Sequence, residues 1–169
     1  MSEPALRRVD PEVPRGPLYR GYVRLVNTRA MAWVSRRVGW KLDPALMRLT
    51  GGRLGFGLML PTAVLETTGA RSGQARRNVV IYFHDGDRPT VIPSKAGAPE
   101  HPAWFHNAVA NPEVRLGGQP FRVEVVDDES ARTRLWALAD QVFPPYADYR
   151  RRAAEVGRSI PILQLVPRA

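Results

Sequence analysis

Apolar positions recur at helical spacing from Leu18 to Val38. Tyr22, Val26, Ala30, Trp33 and Val34 fall on one face, and Arg20, Arg24, Arg36 and Arg37 mostly flank it. The spacing predicts a basic amphipathic helix. Asp43 to Leu49 predicts a short second helix, N-capped by Asp43 with Pro44 at its first position and ended by Gly51-Gly52. Arg53 to Leu60 is a glycine-rich approach, and after it the period changes. Ala63–Thr68 and Asn78–His84 have strand character, Asp85-Gly86 marks a hairpin, and a third strand follows near Thr90–Pro93. His101–Ala110 predicts a short helix, stopped by Asn111-Pro112. Glu113–Leu116 and Gln119–Val126 flank Gly117-Gly118, a second two-residue hairpin signal. Phe121, Val123 and Val125 alternate with Arg122 and Glu124, so one face of that strand is buried. Glu129–Val142 reads as a helix opened by Asp127 or Asp128. Phe143-Pro144-Pro145-Tyr146 breaks it, and helix resumes over Tyr146–Val156. Ile160–Val166 closes the chain as a strand, with Pro161 placing its start at an edge.

Hairpins dominate this order and βαβ units are absent. The fold class is therefore α+β, with an antiparallel sheet curled into a small barrel. Residues 1–17 hold four prolines among mixed charges and read as a flexible arm. Residues 18–50 carry the helices, and residues 51–169 carry the barrel. No G-x-G-x-x-G follows a strand, and the sequence contains neither a P-loop nor a G-x-S-x-G elbow.

Composition narrows the chemistry. The 169 residues suit one domain with a real core. There is no cysteine, so disulfides, thiolate metal sites and cysteine nucleophiles are excluded. His84, His101 and His106 are the three histidines, and the last two, five apart, should not share a helical face, so no metal site is expected. No apolar run approaches the roughly 20 residues that span a bilayer. The opening residues lack an apolar signal core, so the cytoplasm is the expected compartment. The net charge of +9 points to an anionic partner. The arginines are scattered and no nucleic-acid-binding motif is present, so nucleic acid is not the expected one. The basic helix with its Tyr and Trp suits docking on its own domain, with peripheral contact to an anionic membrane as the alternative.

The stretch Thr67–Pro112 organises the rest. It holds two glycine turns separated by apolar β runs. Gly69-Ala70-Arg71-Ser72-Gly73 is the first, with Arg76 and Arg77 close behind; Ser94-Lys95-Ala96-Gly97 is the second, followed by Trp104 and Asn107. Glycines let consecutive N–H groups converge, and such nests attract anions. The same spacing also serves an ordinary hairpin with solvated arginines. Of 25 basic residues only Lys41 and Lys95 are lysines, and a lysine set between Ser94 and Ala96 favours the anion reading, because an ammonium and a guanidinium are not interchangeable.

These elements resemble the deazaflavin-dependent nitroreductase family of actinobacteria. The resemblance rests on Thr67–Gln74, Ser94–Ala98, Pro102–Asn107, Ala110–Pro112, Phe143–Tyr149 and Arg158–Ile162, in order and with similar spacing from about Gly51 onward. It implies a split β-barrel related to flavin-nucleotide oxidases, and coenzyme F420 as cofactor, with FMN or haem as the alternative within the fold. It places the cofactor's phosphate and tail toward Arg71, Ser72, Arg76, Arg77 and Lys95, and Gly69, Gly73, Asn78 and Gly97 are expected among the cofactor-binding residues. Ser94, Ala96, Pro102, Trp104 and Asn107 match positions lining the groove. Tyr146 and Tyr149 match tyrosines on the substrate side, with Tyr146 the candidate proton donor. The implied activity is hydride transfer to a quinone-like, enone or nitroaromatic acceptor; a non-catalytic binding module is the alternative. Phe143 stands where relatives carry a tyrosine, and Ala70 replaces a frequent arginine. The oligomeric state stays open.

Overall fold

The computed structural model describes residues 6–26 and 60–168. The chain divides into two compact units, one of Met1–Val13 with Thr62–Ala169 and one of Pro14–Pro61. The described secondary structure of the smaller unit is helix α1 (Pro17–Val26), which opens with proline at its first position. Tyr19 and Val23, four residues apart, are both buried, while Leu18 is 82% exposed. The expected continuation of this helix to Val38 and the expected helix Asp43–Leu49 lie outside the described residues.

The larger unit is built on a closed antiparallel barrel. Its strands are β1 (Thr62–Thr68), β2 (Ala75–Asp85), β3 (Arg88–Val91), β4 (Glu113–Leu116), β5 (Gln119–Val125) and β6 (Leu163–Pro167). Their order around the barrel is β1-β2-β3-β6-β5-β4. Local hairpins make three of the six pairings. At the β4–β5 turn Gly117 and Gly118 both have positive φ, 54° and 80°, as a two-residue turn matching the strands' twist requires. Closure takes two short seams. Leu65 and Glu66 of β1 pair with Leu116 and Arg115 of β4, and Thr90 and Val91 of β3 pair with Gln164 and Leu163 of β6. Leu65, Val91, Leu116, Leu163 and Leu165 are almost wholly buried and fill the interior.

Three helices decorate the barrel: α2 (Ala103–Ala110), α3 (Glu129–Val142) and α4 (Tyr146–Glu155). Asp128 caps α3, accepting the Ala131 N–H at 2.7 Å. Both guanidinium arms of Arg134 on α3 donate to Asp85 at the end of β2, at 2.6 and 2.8 Å, and Gln164 of β6 donates to the same carboxylate.

Four expectations shift. β3 covers Arg88–Val91 rather than Thr90–Pro93. β2 starts at Ala75 rather than Asn78, so Arg76 and Arg77 are strand residues, paired in register with Thr67 and Glu66. β6 starts at Leu163, after Pro161. Residues 6–13, read as part of a flexible arm, run against the barrel. Val9 N–H donates to His84 Nδ1 at 3.1 Å, His84 N–H donates to Val9 O at 2.8 Å, and the Tyr82 hydroxyl donates to Arg7 O at 2.7 Å. Burial holds the His84 imidazole below its ordinary pKa, so it stays neutral and its Nδ1 can accept.

Candidate functional site

The first turn links β1 to β2. Gly69 N–H donates to Gln74 O and Gly73 N–H to Gly69 O, both at 2.8 Å. A Cβ at Gly69 would lie 2.7 Å from Ser72 Oγ and 3.2 Å from Gln74 O, so a larger residue would have to turn the hydroxyl away. Helix α2 latches the turn. Asn107 Oδ1 accepts the Ala70 N–H at 3.0 Å and its Nδ2 faces the buried Thr67 hydroxyl at 3.5 Å. Asn111 Nδ2 donates to Thr68 O at 3.2 Å. Asn107, expected in the groove lining, thus spends its amide on holding the first turn.

The cations around this turn are unequal. Arg71 is exposed and meets no carboxylate among the described residues. Arg76 donates to Gln74 Oε1 at 3.2 Å. Arg77 lies 3.3 Å from Glu66, its partner across the sheet, and that exposed pair is worth at most about 1 kcal/mol. Asn78 follows on the inward face, half-buried, opposite Leu65.

The second turn follows β3 and has a different backbone. Ser94 is right-handed helical, with φ −68° and ψ −39°. Lys95, Ala96 and Gly97 then take φ of 47°, 53° and 77°. A left-handed L-residue costs roughly 1–2 kcal/mol, and such strain persists only where the surroundings over-determine it. A right-handed residue followed by a left-handed one turns successive N–H groups to one side, which makes an anion-binding concavity. The turn keeps two internal bonds, Gly97 N–H to Ser94 O and Ala98 N–H to Lys95 O, both at 3.0 Å. Lys95 Nζ lies 3.2 Å from the exposed Glu100 carboxylate.

Two neighbours hold this turn. Helix α4 packs on Gly97, where a Cβ would stand 2.7 Å from Tyr149 O and 2.9 Å from Arg152 Cβ. The other is Arg158, only 7% exposed. Its Nη1 donates to Ser94 O at 3.1 Å and to Ala98 O, its Nη2 to Pro93 O, and its Nε to His101 Nδ1 at 3.1 Å. His101 is held below its ordinary pKa, first by burial and then by Arg158 and His106, which keeps Nδ1 free to accept. The His101 and His106 rings lie 5.9 Å apart, against expectation, because His101 precedes α2 instead of sitting within it.

Tyr149 stands beside the second turn on α4, half-buried. Burial pushes its phenol up from the ordinary value, while Arg152, with its guanidinium 5.7 Å from the ring, pulls the other way. Tyr146 is 3% exposed and stacks edge-on with Trp136, Phe143 and Tyr149 at 6.2, 5.1 and 6.3 Å. Trp104, on α2 behind the N-cap Pro102, is buried at 8% exposure. Among the described residues no three His, Asp or Glu side chains gather as a metal site.

Sequence reading thus named both turns but missed Arg158 and His101 as the parts that hold the second. A lone arginine between Gly157 and the apolar entry to β6 was the available signal.

The family model of the F420H(2)-dependent quinone reductases matches residues 40–167, which include every element just described. This chain belongs to that family. An F420H(2)-dependent quinone reductase of Mycobacterium tuberculosis is 33% identical over 147 residues, covering 80% of this chain and 97% of the relative. The solved structure of an F420-H2 dependent reductase is 31% identical and superimposes with a TM-score of 0.53 over 62% of this chain and 93% of its own. Another solved structure, described as a domain-swapped dimer, is 28% identical with a TM-score of 0.56 over 80% and 98%. The resemblance seen in the sequence and the expected split barrel both hold. In a family member of this kind the reactive centre comes with the cofactor, and the protein's part is to bind, orient and exclude.

Proposed function

We propose that this chain catalyses the reduction of a quinone by reduced coenzyme F420, with the two turns as the binding sites for the cofactor's anionic groups. The observation that carries the reading is the left-handed turn Lys95–Gly97, packed under α4 beside Tyr149, in a chain of an F420H(2)-dependent family. The residues fit the group. The second turn offers converging backbone N–H groups, and Arg71, Arg76 and Lys95 offer exposed cations for a phosphate and a carboxylate tail.

The deazaflavin supplies the hydride when bound; the rest falls to the chain. Hydride arrival at a quinone leaves negative charge on oxygen, which a nearby hydroxyl stabilises or protonates. Two phenols stand one helical turn apart on α4. We assign donation to Tyr149, which is the more accessible and whose raised pKa keeps its proton at neutral pH. Tyr146, the first choice from sequence, serves as the packed wall behind it. Phe143 continues that wall and contributes no hydroxyl, which suits a flat apolar acceptor. Nitroaromatics and enones are the acceptors to compare with quinones. The cytoplasm is the proposed compartment, and burial of Tyr19 and Val23 withholds those two side chains of α1 from a membrane surface.

The test is a fluorescence titration with coenzyme F420 beside FMN, followed by turnover with the reduced coenzyme and menadione. Binding of F420 over FMN, and acceptor-dependent oxidation, are expected. Tyr149→Phe should lower turnover by about 10²–10⁴-fold with little change in cofactor affinity. Tyr146→Phe should be far milder. Full activity in Tyr149→Phe would return the proton to solvent, and a larger loss in Tyr146→Phe would exchange the two roles.

A further inference from the structure

We propose that Arg158 is a positioning residue for cofactor binding. It holds the Ser94–Gly97 turn in its left-handed form and adds an uncompensated positive charge behind it. The proposal rests on the reading of that turn as a cofactor site.

Three observations carry it. First, the guanidinium is spent almost entirely on the segment that bears the strain. It binds the carbonyls of Pro93, Ser94 and Ala98, which bracket the turn on both sides, and the His101 ring at the entry to α2. The turn's own bonds take up the Gly97 and Ala98 N–H groups, which leaves those of Lys95 and Ala96 as the candidates for an anion. Second, Lys95 and Ala96 are the only non-glycine residues with positive φ among the described residues, and they lie between the carbonyls that Arg158 holds. Strained residues need an outside constraint, and a rigid five-donor fork is suited to supply one. Third, no carboxylate meets Arg158 among the described residues. Guanidinium stays charged in proteins, so the charge is buried against dipoles alone. An anion seated on the far side of the turn would complete the arrangement, and its absence from every ion pair distinguishes Arg158 from Arg134 and Arg150, which hold Asp85 and Asp140.

The sequence provides a specific probe. Lys41 and Lys95 are the chain's only lysines, so a lysine-specific protease can cut only after these two. Cleavage after Lys95 requires the turn to leave its left-handed form, and an added lysine-containing peptide calibrates protease activity. In cofactor-free protein, Arg158→Gln should speed cleavage after Lys95 relative to the added peptide, whereas Arg150→Gln should not. In the fluorescence titration Arg158→Gln should raise the Kd for coenzyme F420 by about 10- to 100-fold, the effect of losing one charged hydrogen-bond set. Turnover at saturating coenzyme should change only a few-fold, which separates positioning from general damage. Ala96→Gly, which removes the left-handed penalty, should recover part of the affinity in the Arg158→Gln background. Should Arg158→Gln fail to fold, Arg158→Lys keeps the stem and charge but loses the fork, and should still weaken binding. A folded Arg158→Gln or Arg158→Lys protein with unchanged Kd overturns the proposal, as does unchanged Lys95 cleavage in Arg158→Gln. If wild-type protein fails to bind F420 the functional reading falls, and the cofactor-free proteolysis still decides what Arg158 does to the turn.

Discussion

The turns at Gly69–Gln74 and at Ser94–Gly97 are both glycine-containing connections beside basic residues, yet they are held in unlike ways. The first is closed by its own backbone and by the amides of Asn107 and Asn111 at α2, and the only left-handed residue in it is Gly73. Its cations stand in solvent. The second runs through three left-handed residues in succession and is fixed by groups from far along the chain, Tyr149 on α4 and the buried Arg158. A turn that needs little support from outside leaves its surface charges free of a structural task. A turn under strain depends on its neighbours, and its sequence carries only half of its specification.

A matched pair of glycine substitutions breaks this comparison most sharply. Gly97→Ala adds a left-handed penalty and a clash with α4, and should destabilise by about 2–5 kcal/mol in urea unfolding. Gly73→Ala meets no atom within 4 Å and should cost only about 1–2 kcal/mol. Equal losses would show that the second turn is no more constrained than the first.

A smaller effect is expected from Asn107→Ala, which removes the latch on the first turn alone. The Ala70 N–H loses its acceptor, at a cost of about 1 kcal/mol. F420 affinity should fall a few-fold while cleavage after Lys95 stays at the wild-type rate. Faster cleavage there would mean the turns are coupled through α2.

The smallest effect is on pH dependence. Folding lowers the pKa of His101, so the unfolded chain takes up the proton first as pH falls. The stability from this residue is present above its ordinary value of 6.5 and is lost as pH drops from there toward the folded value. His84 acts in the same sense. The melting temperature should therefore decline from about pH 7 to about pH 5.5, and His101→Gln should flatten part of that slope. An unchanged slope would place the proton elsewhere.

What the sequence made legible was local. Gly86 and Gly117-Gly118 announced their hairpins, the pair Asp127-Asp128 its helix, and the alternation of Phe121 and Val123 with polar neighbours a half-buried strand, though Val125, expected on the same buried face, is 38% exposed at the strand's end. The turns were visible because glycine reports backbone shape directly. Register was not: Arg76 and Arg77 were placed beside a loop, and they entered β2 because Thr67 and Glu66 extend β1 far enough to pair with them. Arg158 and His101 were invisible as partners because nothing local marks a contact between residues so distant in sequence. Tyr146 and Tyr149 were paired by the resemblance, and their different burial depends on Trp136 and Phe143 packing around the first.

The seam between β3 and β6 has a consequence for the order of assembly. Its partners, Thr90 with Gln164 and Val91 with Leu163, are separated by much of the chain, so the entropy of loop closure makes this pairing later than the hairpins. The second turn leaves the end of β3, and Arg158 stands just ahead of β6. The guanidinium therefore reaches the carbonyls of Pro93 and Ser94 only as the last strand docks. On this ordering a nascent or C-terminally shortened chain exposes hairpins without a finished second turn, and the appearance of cofactor affinity during refolding reports completion of the barrel.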